Sequence, residues 1–235
     1  MLRPPQQQPL QPWSSPQKPS SSPKPLLAKE NEEKASTREL PALAGRQRVT
    51  GMEKAMGEAK RRKTEGDHWL EGLTGEERVV AKSAQRIYKR LVRSVEMVQG
   101  CYYCAFVLRK YLKEQHGISV TPVVGWAMHG DILFAHAWAE FNSKRIDLSL
   151  QQVSNQNVPT GDLLILDHVV QPGRLSYQYN VTTTDQIAAV AGPNRLAFAD
   201  KMREIAADDA RIDSYFLNAP PAYSYDAALA RINAR

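Results

Sequence analysis

From Thr74 onward the apolar residues recur every third or fourth position. Val80, Ala84, Ile87, Tyr88, Leu91, Val92 and Val95 form one stripe, and Lys82, Arg86, Lys89, Arg90 and Arg93 fall largely off it. That period predicts an amphipathic helix with one face turned to a core. Thr74-Gly75-Glu76-Glu77 marks its start as a capping box, with the Thr oxygen on an N3 amide and the Glu reaching back to the cap. Gly100 interrupts the stripe. A second helix is expected over about 101–115, with Ala105, Leu108 and Leu112 on the same side as Cys101 and Gly117 suited to the left-handed position that closes it.

Beyond Gly117 the period changes to alternation, which predicts strands over 118–126, 132–141, 144–150, 163–170 and 175–181. Pro122 implies an edge or a bulge in the first of them. Met128-His129-Gly130-Asp131 reads as a turn, and Asn142-Ser143 as the loop of a hairpin. Helical pattern returns over about 185–190, 194–207 and 225–232, with Pro220-Pro221 dividing the last two. This remainder is expected to cap the sheet, with Tyr215, Phe216, Tyr223 and Tyr225 packing there. Helices, then strands, then helices make an α+β pattern rather than an alternating βαβ one.

Residues 1–50 break with all of this. They carry nine of the 15 prolines, interspersed with Gln and Ser, and bury too little apolar surface to offset chain entropy. The expected organisation is a disordered Pro/Gln/Ser-rich tail over 1–50, a basic and partly helical linker over 51–73, and one domain over 74–235. Met52 or Met56 is an alternative start.

The net charge of +6 and pI near 9.3 are small excesses for 235 residues. Lys60-Arg61-Arg62-Lys63 has no interleaved aromatics and no nucleic-acid fold around it, so it reads as a solvated face rather than a nucleic-acid contact. No apolar run is long enough to span a membrane and no secretory signal is visible, which makes the cytoplasm the default compartment. Two cysteines, three positions apart, exclude a disulfide-stapled scaffold.

Those cysteines carry the candidate chemistry. Cys101 opens a helix, where unpaired amides and the positive end of the macrodipole favour a thiolate and can also bind an oxyanion. Cys104, one turn in, is the competitor with poorer access to those amides. His136 lies in an alternating run with Trp138 and Glu140 on its face. A two-residue loop at Asn142-Ser143 sets Phe141 against Lys144, Trp138 against Asp147 and His136 against Ser149. His136 and Asp147 then become diagonal neighbours on one face, about 7–8 Å apart at Cα and within side-chain reach. The opposite face collects Ala137, Ala139, Phe141, Ile146, Leu148 and Leu150 as a core. Thiol, imidazole and carboxylate in this relation are the parts of a nucleophile, a base and a group that orients the base.

Gly100-Cys101 with Ala105, the helix ending at Gly117-Ile118, the strand ending at Gly125, His136-Ala137-Trp138 and Ile146-Asp147-Leu148-Ser149 together resemble the transglutaminase-like branch of the papain-type cysteine-enzyme superfamily. The resemblance spans about residues 100–150. It implies a papain-like core with helices packed on an antiparallel sheet, and it implies Cys101, His136 and Asp147 as catalytic residues acting on amide bonds of a peptide or protein substrate, with no cofactor. Two alternatives stay open. One is a catalytically inactive binding module, since no upstream Gln or Trp stands out as an oxyanion donor. The other is a zinc site drawn from Cys101, Cys104, His129 and His136, for which the Cys-x-x-Cys spacing is right. His68, His116 and His168 have no partner pattern and read as surface or structural.

Overall fold

In the computed structural model the chain divides into two units, Met1–Arg48 and Val49–Arg235. The structure describes residues 68–152 and 158–234, all within the second. The expected Pro-rich tail, and the basic linker with Lys60, Arg61, Arg62 and Lys63 up to residue 67, lie outside the described residues.

The first helix, α1 (Gly75–Ile87), starts at the capping box: Glu77 N–H donates to Thr74 Oγ1 at 3.3 Å, and Thr74 N–H to Glu77 Oε2 at 3.1 Å. It runs on as a wider π-type turn over Tyr88–Arg93. Val80, Ala84, Ile87, Tyr88, Leu91 and Val92 are buried as the stripe requires, but Val95 lies past the helix end and is 46% exposed. Two positive-φ residues, Glu96 and Gln99, turn the chain into α2 (Cys101–His116). Gly117 closes α2 at φ 67°, and Ile118 N–H donates back to the Leu112 carbonyl at 3.1 Å. An L side chain is strained at that φ, which accounts for the glycine.

Among the described residues six antiparallel strands follow: β1 (Thr121–His129), β2 (Ile132–Phe141), β3 (Lys144–Asp147), β4 (Leu163–Ile165), β5 (His168–Gln171) and β6 (Gln178–Asn180). Their order in the sheet is β5-β4-β3-β2-β1-β6, so the last strand returns to pair with the first. The fold class is therefore α+β, as the pattern implied. β1 begins later than expected and runs through Met128 and His129, because the β1–β2 turn is tight and only Gly130 and Asp131 remain between the paired His129 and Ile132. Pro122 faces Ala139 of β2, in the part of β1 that β6 does not pair. The expected 163–170 strand is instead a hairpin, β4–β5. Leu166 and Asp167 both take positive φ between its arms, the twist that suits a two-residue turn. Asn142 and Ser143 do the same between β2 and β3.

The main core lies where α2 meets β2 and β1, with Phe106, Leu108, Leu112, Val124, Ala137, Ala139 and Ile146 almost fully buried. Helix α3 (Asp185–Ala206) covers β1 and β2 and buries Trp126 with Ile187, Ala191 and Ala199. Gly192 at φ 74° followed by Pro193 breaks α3 into two straight pieces, which match the two helices expected there. The helix α4 (Asp209–Leu217) was absent from the sequence pattern. Its apolar face is short, and it is held by charge: Asp209 accepts from Arg109 Nε at 2.6 Å and from Lys113, and Asp213 from Lys110 Nζ at 2.6 Å. The last helix is α5 (Tyr225–Asn233). The C-terminal aromatics do not pack on the sheet as expected. Phe216 and Tyr223 meet Tyr103 edge-on, and Tyr215 meets Phe106, so they cover α2. Among the described residues no helix is long and apolar enough to cross a membrane.

Candidate active site

Cys101 is the first residue of α2 and a free thiol, half-buried at the helix mouth. Gly100 caps the helix without a side chain, and the first backbone bond into the helix is Cys104 N–H to the Gly100 carbonyl at 2.8 Å. The amides of Cys101, Tyr102 and Tyr103 thus have no acceptor within the helix. A Cβ at Gly100 would come within 2.4 Å of Met97 Sδ, so the glycine also lets the preceding turn fold tightly onto the helix start. Cys104 faces the interior, 3% exposed, with its sulfur 4.0 Å from Met97 Sδ. Burial, then the nearby Cys101 and Asp147, pushes its thiol far above the ordinary range. The two cysteines are therefore chemically different, and only Cys101 is presented outward.

The β2–β3 register is the one that the hairpin arithmetic predicts. Phe141 pairs Lys144, Glu140 pairs Arg145 and Ala139 pairs Ile146, so the next step sets Trp138 against Asp147. His136 and Asp147 meet across the ladder, with His136 Nε2 2.6 Å from Asp147 Oδ2. Both are almost wholly withdrawn from water, His136 at 2% and Asp147 at 1% exposure. The Cys101 thiol is near enough to favour the charged form of the same imidazole. Since Nε2 faces the carboxylate, Nδ1 is the ring atom left for the sulfur.

Burial by itself would drive His136 toward its neutral form. The Asp147 charge and hydrogen bond, followed by the contact with Cys101, outweigh it and raise the imidazole to about 10. Burial likewise works against an ionised Asp147. The His136 charge and hydrogen bond, reinforced by Ser149 and Tyr179, hold the carboxyl below its usual range. A buried imidazolium–carboxylate pair is the consequence.

Sequence reasoning missed most of the shell around this pair. Asp147 Oδ1 accepts from the backbone N–H and the hydroxyl of Ser149, each at 3.0 Å. Asp147 Oδ2 accepts a second donor, the Tyr179 hydroxyl, at 2.8 Å. Trp138 lies nearly parallel to the His136 ring and anchors its own indole N–H on Glu140 Oε1 at 2.9 Å. Gly125, opposite His136 in the ladder, is obligatory: a Cβ there would lie 2.3 Å from the Asn180 carbonyl oxygen and 2.9 Å from the Trp138 ring. Ser149 stood opposite His136 in the expected register, which was a usable signal. Tyr179 had none beyond its place in a strand, because its partner strand is fixed only by the fold.

The zinc set is not assembled. His129 sits at the far end of β1, with Nδ1 3.2 Å from the Ser176 carbonyl oxygen and its ring against Tyr177. Among the described residues no group of three or more His, Cys, Asp or Glu side chains could hold a metal ion. His168 stacks on Trp69 and His116 lies against Tyr111.

Comparison with models of known families, with curated proteins and with solved structures found no match.

Proposed function

We propose that the chain is a thiol hydrolase or acyltransferase that acts on amide bonds of peptides or peptide-like substrates, on a papain-type, transglutaminase-like core. Cys101 is the nucleophile, His136 the base and then the acid, and Asp147 the group that orients and charges the imidazole. One observation carries this reading: a half-buried thiol at a helix mouth acts on a buried imidazole whose Nε2 rests 2.6 Å from a buried carboxylate.

In the resting site the thiol proton resides on His136, giving a thiolate and an imidazolium. The sulfur attacks the carbonyl carbon, and the developing oxyanion is met by the unpaired amides at the start of α2. His136 Nδ1–H passes its proton to the leaving amine as the C–N bond breaks, which leaves a thioester on Cys101. Water (or an amine in the transfer reaction) then attacks that thioester, yields its proton to the now neutral His136, and releases the acyl group as the sulfur leaves, which restores the thiolate–imidazolium pair. Asp147 stays ionised throughout. Water is the default acceptor.

The test is the pH dependence of alkylation by iodoacetamide in the wild type, Cys101→Ala, Cys104→Ala and His136→Ala. Rapid labelling well below pH 8, where an ordinary thiol with a pKa of about 8.5 is slow, is expected in the wild type and Cys104→Ala. It should vanish in Cys101→Ala and slow in His136→Ala. Labelling of Cys101 with an ordinary thiol profile would refute the proposal.

A further inference from the structure

The Tyr179 hydroxyl lies 2.8 Å from Asp147 Oδ2, the same oxygen that accepts His136 Nε2 at 2.6 Å. We propose that Tyr179 is a positioning residue, which by this bond holds Asp147 ionised and turned toward His136 and so sets the basicity of the imidazole. The inference rests on the thiol chemistry proposed above.

An ionised carboxylate only accepts, and protonation converts one oxygen into a donor. Asp147 faces four donors, two on each oxygen: Ser149 N–H and Oγ–H on Oδ1, His136 and Tyr179 on Oδ2. A proton on either oxygen would have to displace one of them. The Ser149 bonds are local and follow from the turn that leaves β3. The Tyr179 bond is long-range, and it fills the lone pair of Oδ2 beside the one that His136 uses. With that lone pair taken, the carboxylate cannot swing away from the imidazole without breaking two bonds at once.

The surroundings of Tyr179 fit a fixed donor. Its ring stands edge-on to Trp138 with centroids 5.1 Å apart and lies 6.1 Å from the His136 ring. The Arg145 guanidinium of β3 covers it at 4.6 Å. Charged and titratable groups reach this corner from each packed element: Cys101 on α2, His136 on β2, Arg145 and Asp147 on β3, and Asp162 before β4. Burial, then the Asp147 charge, raises the Tyr179 phenol far above its ordinary value, so it stays a donor at every working pH. Ring packing alone asks nothing of the hydroxyl, and this separates positioning from structure.

Tyr179→Phe retains the ring and deletes the donor. The experiment is the iodoacetamide rate of Cys101 against pH in full-length wild type, in Tyr179→Phe, and in a protein carrying 3,5-difluorotyrosine at 179, which keeps the shape and donates more strongly. In Tyr179→Phe the acid limb is expected to move up by about one pH unit and the rate below it to fall about tenfold, the usual scale of a hydrogen bond to a charged group. The fluorinated side chain should move the limb the other way. Opposite shifts support positioning, and a merely structural hydroxyl predicts none. Profiles that superimpose on a wild type with rapid low-pH labelling would overturn the role of Tyr179 alone. A wild type that labels as an ordinary thiol would overturn the proposed chemistry itself, and this role with it.

Discussion

Asp147→Asn removes a charge and changes almost no volume, so its consequences can be worked out from hydrogen-bond directions. The amide has one acceptor and one donor end where the carboxylate had two acceptors. Ser149 N–H cannot turn away, so the amide oxygen takes the Oδ1 position and the NH₂ faces His136 Nε2 and Tyr179. His136 must then accept at Nε2 and carry its proton on Nδ1, the nitrogen toward Cys101, where it can no longer take the thiol proton. Replacing Asp by Asn in a Ser-His-Asp set costs on the order of 10⁴ in turnover by this route; alkylation reads the thiolate fraction, so a Cys101 returned to an ordinary pKa of about 8.5 should label about 300-fold more slowly at pH 6. Stability gives an independent reading. In the wild type the folded His136 titrates near 10 against an ordinary 6.5. A raised folded pKa contributes stability that is fully present below pH 6.5 and is lost as pH rises through about 10. The rise is worth at most about 5 kcal/mol at about 1.4 kcal/mol per pH unit. In Asp147→Asn burial is opposed only by the smaller influence of Cys101, so the folded pKa drops and the stability that the raised value contributes below pH 6.5 is lost. Guanidinium unfolding of both proteins from pH 5 to 10.5 checks this, and groups common to both cancel in the difference. The stability gap should be widest near pH 6, on the scale of 3–5 kcal/mol for breaking a buried pair, and should narrow steadily toward pH 10. A gap independent of pH would refute the ion-pair argument.

Two further substitutions address how the fold holds the site. Gly125→Ala places a Cβ 2.3 Å from the Asn180 backbone oxygen. Because backbone cannot step aside cheaply, the variant should lose about 2–3 kcal/mol in guanidinium unfolding and, by displacing β6 and Tyr179, should slow Cys101 labelling as well. Cys104→Ser puts a hydroxyl beside Met97 Sδ in an apolar interior, so a loss of about 1–3 kcal/mol is expected in thermal unfolding, with the labelling profile of Cys101 unchanged.

Local pattern determined much of this molecule. The 3.6-residue stripe and the Thr74–Glu77 box specify α1, Gly117 stops α2, and alternation with a two-residue loop fixes which residue faces which between β2 and β3. That register is enough to bring His136 to Asp147, because in a two-residue hairpin the turn sets every pair that follows it. The position of Cys101 at a helix start was likewise written locally, in Gly100 and the period after it. Other features answer to distant partners, and only the tertiary structure decided them. Helix α4 is held by Asp209 and Asp213 reaching charges on α2, and the aromatics after it pack on Tyr103 and Phe106 rather than on the sheet. The π-type turn after α1 strands Val95 in solvent although it continues the stripe. Tyr179 reaches Asp147 because β6 crosses to the free side of β1, a pairing that depends on the whole chain having closed. The physical reason is common to these cases. Periodicity and turn chemistry act over a few residues. Strand order, partner choice and the burial against which Asp147 charges His136 arise only when segments far apart in sequence exclude water together.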